Sequence, residues 1–425
     1  MGAVVKIPVI AADVTVEPSG NSRVLWISSL AFALGFAVWG MFAALAPFLI
    51  KWYDFSATQV LILTAMEPFF AAAVSIPLGI LTDKFGGRSV FTLLLLVLTL
   101  PLLLGYFAQG YYTFLLVGTL LGLGGATFVV GNAHVSSWYP KSKQGTALGI
   151  FGMGNVGITV GMVTVTFLVT RVLSGPDGWR LIFPIFASAT FLMALVYWFF
   201  TSDPPNRKLK KTSLREIFAV YRSGAVVWLV TYLYWVSFGT LTFFASAMSI
   251  YLLDQWHVDA IRASMVYTPP LVICVAATRP LGGWLADRSD PFRILRWLFG
   301  IMVVLALLMT LQISLPVQLV AMYGLALMSG AAAAAVIKLI PMYFVHVGAV
   351  SGLAKAAGAA CGFAMTMILA MSKQLLGDYT LGFAIWALMN VAAFYIVLSR
   401  VGFRDTKPLI ERPSGTREIL TASGA

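Results

Sequence analysis

Twelve stretches of about 20 mostly apolar residues, parted by short polar breaks, dominate this sequence. A run of that length is what an α-helix needs to cross the hydrocarbon layer of a bilayer. Spans are expected at 24–50, 58–81, 89–109, 111–134, 144–170, 180–200, 224–252, 262–286, 293–314, 316–338, 347–372 and 379–400. Composition agrees. Hydrophobic residues make up 60% of the 425, and charged residues only 10%, where soluble domains carry about 25% charged. Lipid must therefore solvate much of this surface. Inside lipid, backbone polar groups have to be satisfied within the segment, which selects helices. The expected fold class is an all-α polytopic membrane protein. The two cysteines, Cys274 and Cys361, lie in apolar runs and read as small hydrophobes. Residues 1–22 contain Pro8, Asp13, Glu17 and Pro18 and read as a tail, not a signal peptide.

Basic residues set the orientation. With the N-terminus inside, Arg23, Lys84, Arg88, Lys141, Lys143, Arg288, Arg293, Arg296 and Arg400 fall on the inner side, with the run Arg207-Lys208-Leu209-Lys210-Lys211. The outer loops hold only Lys51, Arg171, Arg180, Arg262 and Lys373, while Arg279, Lys338 and Lys355 fall within spans. Both termini are expected in the cytoplasm, in a multi-pass plasma-membrane protein. The net charge of +12 then faces anionic headgroups, and no nucleic-acid partner is needed to explain it. The expected division is an N-terminal tail (1–23), a six-helix bundle (24–200), a cytoplasmic linker (201–222), a second six-helix bundle (223–401) and a C-terminal tail (402–425). A monomer is expected.

The chain repeats itself. After span two it reads Gly79-Ile80-Leu81-Thr82-Asp83-Lys84-Phe85-Gly86-Gly87-Arg88; after span eight, Gly283-Trp284-Leu285-Ala286-Asp287-Arg288. A Pro-Leu-Gly stands at the head of each, Pro77-Leu78-Gly79 overlapping the first copy and Pro280-Leu281-Gly282 just before the second. Two matches at equivalent spans of two six-span halves mark a duplication. Glycine allows close helix approach. Asp83 with Lys84 and Arg88, and Asp287 with Arg288, can pair across helices as a gate or simply orient the loop. The chain thereby resembles the major facilitator superfamily over all twelve spans, which implies two pseudo-symmetric six-helix bundles that rock about a central site. No Walker motif is present to suggest ATP-driven pumping.

Further stretches resemble the nitrate/nitrite porter branch of that superfamily. They are Gly124–His134 with Trp138-Tyr139-Pro140, Gln144–Gly157, Arg279–Arg288 and Gly348–Gly358. The resemblance implies that glycine-rich parts of spans five and eleven flank an anion bound by arginines of spans two and eight. Asn155 and Arg279 fit. Ser75 stands where the span-two arginine is expected, and the interval from Asp83 to Asp287 also separates Ser75 from Arg279. Lys355 takes a position that is glycine in the branch, so a second cation is expected on span eleven instead of span two.

Charge at membrane depth costs at least about 2.5–3.5 kcal/mol on insertion scales and rarely lacks a partner. Arg279 therefore reads as an anion-binding fork, or as a structural or snorkelling residue. Glu67, in mid-span, can neutralise Lys355 or Arg279 or carry a coupling proton. Lys355 can hold substrate, pair with Glu67, or both. Asn155 can donate to an oxyanion, and Tyr267 can line the cavity. Lys338 and His134 read as structural.

The expected function is secondary transport of a small anion, nitrate or nitrite, by symport with protons or exchange for a counter-anion. Proton-coupled transport of a small carboxylate is the alternative. A membrane sensor without transport is a third reading, and the short expected tails speak against it. No nucleophile–base constellation suggests an enzyme, and no cofactor is called for.

Overall fold

The computed structural model describes residues 20–139, 147–148, 150–173, 177–204, 224–344 and 347–403, without the side chains of Asp83, Asp287, Pro341 and residues 347–349. The expected tails fall almost wholly outside these, as do the basic run at 207–211 and Lys141 and Lys143.

Among the described residues the helices group into twelve spans. They are α1 (Ser22–Tyr53), α2 (Ala57–Phe85), α3 (Gly87–Tyr106), α4 (Tyr111–Trp138), α5 (Ile150–Val172), α6 (Gly178–Phe200), α7 (Ala225–Trp256), α8 (Thr268–Arg288), α9 (Pro291–Leu311), α10 (Leu315–Tyr343), α11 (Val347–Leu376) and α12 (Thr380–Ser399). The face where α1 begins is called the basic face below, and the other the far face. Several helices outrun the expected spans, α1 and α7 at both or one end and α10 by a turn, because backbone capping continues past the apolar residues. Asn21 accepts from the Val24 amide (3.1 Å) at the start of α1. Ser56 and Gln59 cap α2 reciprocally. Asp54, His257, Gln312 and Arg400 end their helices in the left-handed conformation.

Eleven spans are long and apolar enough to cross a membrane on their own. The eighth is not among them. A π-helical turn, Arg262–Tyr267, leads into Pro269, Pro270, Arg279 and Pro280. Such a helix is tolerated where protein, not lipid, surrounds it, and α8 packs against α10, α7 and α5.

Glycine sets the closest approaches. A Cβ on Gly157 or Gly161 would run into the carbonyls of Ala33 and Ala37, so α5 lies backbone to backbone on α1. Gly282 and Gly330 do the same for α8 and α10. The first six helices pack among themselves, as do the last six, and the two sets meet where α2 lies along α11, α1 touches α7 and α5 touches α8. Across that seam the Thr159 hydroxyl donates to the Pro269 carbonyl (3.0 Å) and the Ser249 hydroxyl to the Ala43 carbonyl (3.3 Å). The Phe69 and Phe363 rings meet at 4.9 Å.

Candidate functional site

Ser75, Phe128, Arg279 and Lys355 lie roughly 8–10 residues in from the basic-face ends of their helices, about 12–15 Å at 1.5 Å per residue, and Asn155 lies about 5 residues into α5. They come from α2, α4, α5, α8 and α11, so one layer of the molecule collects most of the expected site.

Arg279 is half-buried, and its Nε and Nη2 are shut off from water with no hydrogen-bond partner among the described residues. Its guanidinium lies over the Phe238 ring at 4.9 Å, beside the Tyr234 hydroxyl. Lys355 reaches from α11 across the seam to α4, with its ammonium 4.4 Å from the centre of the Phe128 ring. Lys355 and Arg279 are near enough to repel each other. No carboxylate pairs with either cation among the described residues. Each of the two positive groups thus rests on an aromatic face of its own, a contact that stabilises a cation by about 0.5–2 kcal/mol. Such a layer can hold an anion. The planar guanidinium fork matches a trigonal oxyanion or a carboxylate.

Asn155 is buried in a 3-10 turn, Met153–Val156. Its amide nitrogen donates to the Gly152 carbonyl (2.5 Å), and its Oδ1 has no partner among the described residues. The Ser75 hydroxyl is buried and turned back on the Ala71 carbonyl (2.5 Å). The glycine-rich stretches divide their work. Gly157 abuts α1 and Gly358 abuts Phe238 of α7, whereas a Cβ on Gly152 or Gly352 would meet open space.

Two expected members stand apart. Tyr267 sits roughly a dozen residues nearer the far face than Arg279, and its carbonyl accepts from the Tyr323 hydroxyl (2.9 Å). Glu67 is also nearer the far face and forms no pair with Lys355 or Arg279. The repeated motif serves each half separately in its described members. Gly79 faces Val129 of α4 and Gly283 faces Ala334 of α10. Lys84 lies over Phe85 and Arg288 over Trp284. Arg88 fastens α3 to the end of α6, donating to the Trp198 carbonyl (2.8 Å) and covering its ring, while its amide donates to Asp203 (3.2 Å). The expected pairing of Asp83 and Asp287 falls on side chains outside the described ones.

Phe128, Phe238 and the Phe69–Phe363 contact were not legible as site features. Aromatic residues abound in these spans, and only the crossing of helices shows which ones face a cation. A cavity at the basic face, lined by Asn21, Arg23, Phe199, Phe200 and Ser202, lies between α1 and α6 and away from this layer.

Comparison with known proteins agrees with the architecture. The sequence profile of the Major Facilitator Superfamily matches residues 27–366. A "Probable nitrate/nitrite antiporter NarK1" of Thermus thermophilus is 32% identical, over 90% of this chain and 92% of its own length. A "Nitrite extrusion protein" of Bacillus subtilis is 28% identical, over 88% and 93%. Among solved structures, an inward-facing bacterial homologue of the human lysosomal transporter Spinster superposes with a TM-score of 0.71 at 20% identity, covering 91% of this chain and 98% of that one. This likeness shows the fold. The chain belongs to the Major Facilitator Superfamily, as a multi-pass membrane protein that moves a small substrate by secondary transport.

Proposed function

We propose that this transporter carries nitrate or nitrite across the cytoplasmic membrane by alternating access, with both termini inside. The observation that carries the reading is the Arg279 guanidinium, with two buried nitrogens unpartnered, near Lys355 in a layer where no carboxylate pairs with either cation among the described residues. Two cations at that depth, with guanidinium nitrogens left unpartnered, are costly unless an anion completes them. The names of the relatives at 26–32% identity support nitrate and nitrite over other anions. The seam of α2 with α11, α1 with α7 and α5 with α8 is where two bundles would rock. The two-bundle division at 24–200 and 223–401 belongs to this proposal. The test is uptake by vesicles containing the purified protein, loaded with nitrite and offered nitrate, formate, acetate or chloride. Nitrate should enter and the others should not.

A small carboxylate is the second reading. Ser75 favours it, since the layer holds a compact hydroxyl on α2 where a second guanidinium is expected for nitrate. Formate or acetate uptake in the same vesicles would select it.

A further inference from the structure

Glu67 stands about 8 residues, roughly 12 Å along α2, farther from the basic face than Ser75. Its side chain is completely buried, and neither carboxyl oxygen has a hydrogen-bond partner among the described residues. The helices packed on α2 are α1, α3, α4, α7 and α11. Among the described residues, none of these helices gives this carboxyl a hydrogen bond or an ion pair. Lys355 of α11 is turned to Phe128, Tyr234 of α7 lies beside Arg279, and the Tyr111 hydroxyl of α4 donates to the Gln59 carbonyl (3.4 Å). Two residues on, Phe69 makes the ring contact with Phe363 that closes α2 on α11.

An ionised carboxylate without donor, cation or water is strongly disfavoured against the neutral acid. A neutral acid that only filled space would be a costly choice for a helix with apolar alternatives. We propose that Glu67 is the proton site of this carrier, loaded and sealed in the state seen here and opened to water when α2 and α11 part. This deepens the anion-transport reading and rests on it. With the far face open, the carboxylate takes a proton from hydronium and an O–H bond forms. With the basic face open, that bond breaks and the proton leaves to water. Arg279 and Lys355 hold the anion in their own layer, so proton and anion cross in one rocking cycle without meeting. A single proton with each monovalent anion moves no net charge, so uptake follows the pH gradient and ignores the membrane potential.

The experiment uses the full chain in liposomes, with nitrate as the probe. In wild type, acid outside drives nitrate accumulation, valinomycin-set potentials leave it unchanged, and nitrate entry alkalinises a weakly buffered medium. Glu67→Gln keeps nitrate/nitrate exchange but loses accumulation and alkalinisation, and Glu67→Asp restores part of both. A Glu67→Gln protein that accumulates nitrate like wild type overturns the proposal. Infrared spectroscopy on the same samples separates this from failure of the nitrate reading. If wild type moves no nitrate, or Glu67→Gln does not exchange it, a protonated-carboxyl band at neutral pH, shifted in heavy water and missing from Glu67→Gln, still supports the proton site. Its absence from wild type removes it.

Discussion

The Lys355 ammonium of α11 rests on the Phe128 ring of α4, 4.4 Å from its centre, so a cation of the C-terminal half is held by an aromatic face of the N-terminal half. A bound anion would compete with that ring for the same charge. Phe128→Leu keeps bulk and removes the π face. In a double-mutant cycle with Lys355→Met, melting temperatures should show a coupling of about 0.5–2 kcal/mol. Additive effects would mean that the contact contributes nothing.

Close helix packing and open backbone make opposite predictions for two kinds of glycine. Gly157→Val forces a side chain into the Ala33 carbonyl and should cost about 1–3 kcal/mol or more, read as a lower melting temperature and poor yield in detergent. Gly352→Ala meets open space, so stability should stay within about 0.5 kcal/mol of wild type. Its transport rate should nevertheless fall, because the added methyl narrows the space beside Lys355.

Tyr197 ties three helices at the basic face. Its hydroxyl is buried between Ser28 of α1 (2.9 Å) and Nδ1 of His134 in α4 (2.6 Å), while Nε2 of His134 lies 3.1 Å from the Ser202 carbonyl. Tyr197→Phe should cost about 1–3 kcal/mol of stability. The preference among anions should not change, since the group is far from the Arg279 layer. Thermal melting and a substrate panel on one preparation check both statements.

Ser75 and Arg279 stand the same interval apart as Asp83 and Asp287, and Ser75 brings no cation to the layer. Ser75→Arg alone adds a third positive group beside Arg279 and Lys355 and should impair transport. Ser75→Arg combined with Lys355→Gly restores two cations, one per half, and should recover exchange to within about tenfold of wild type. Failure of the double variant with normal folding would show that Lys355 does more than supply charge.

The twelve spans were readable because apolar length dictates a crossing helix, and the repeated motif around Asp83 and Asp287, at the ends of α2 and α8, pointed to a duplication. Arg279, Lys355 and Asn155 stand out in the sequence as candidates because polar groups are conspicuous in lipid. Which groups meet was not readable. Of the two readings of Glu67, the pairing with a cation does not form among the described residues, since Glu67 lies nearer the far face on α2 than the layer of Lys355 and Arg279. Tyr267 was named only as an aromatic able to line the cavity, and the π-helical turn at Arg262–Tyr267 puts it near the far face. Pattern along one helix carries depth, but contacts between helices depend on where glycine lets backbones close, as Gly157 does on Ala33.

Nitrate counterflow into nitrate-loaded vesicles containing wild type or Arg279→Ala tests the central claim most directly. The account predicts rapid exchange by wild type and a drop of about tenfold to more than a hundredfold in Arg279→Ala, the loss of a charge-assisted hydrogen bond worth about 1.5–3 kcal/mol. Arg279→Lys, which keeps charge without the fork, should fall between the two. Exchange by Arg279→Ala at the wild-type rate would contradict it.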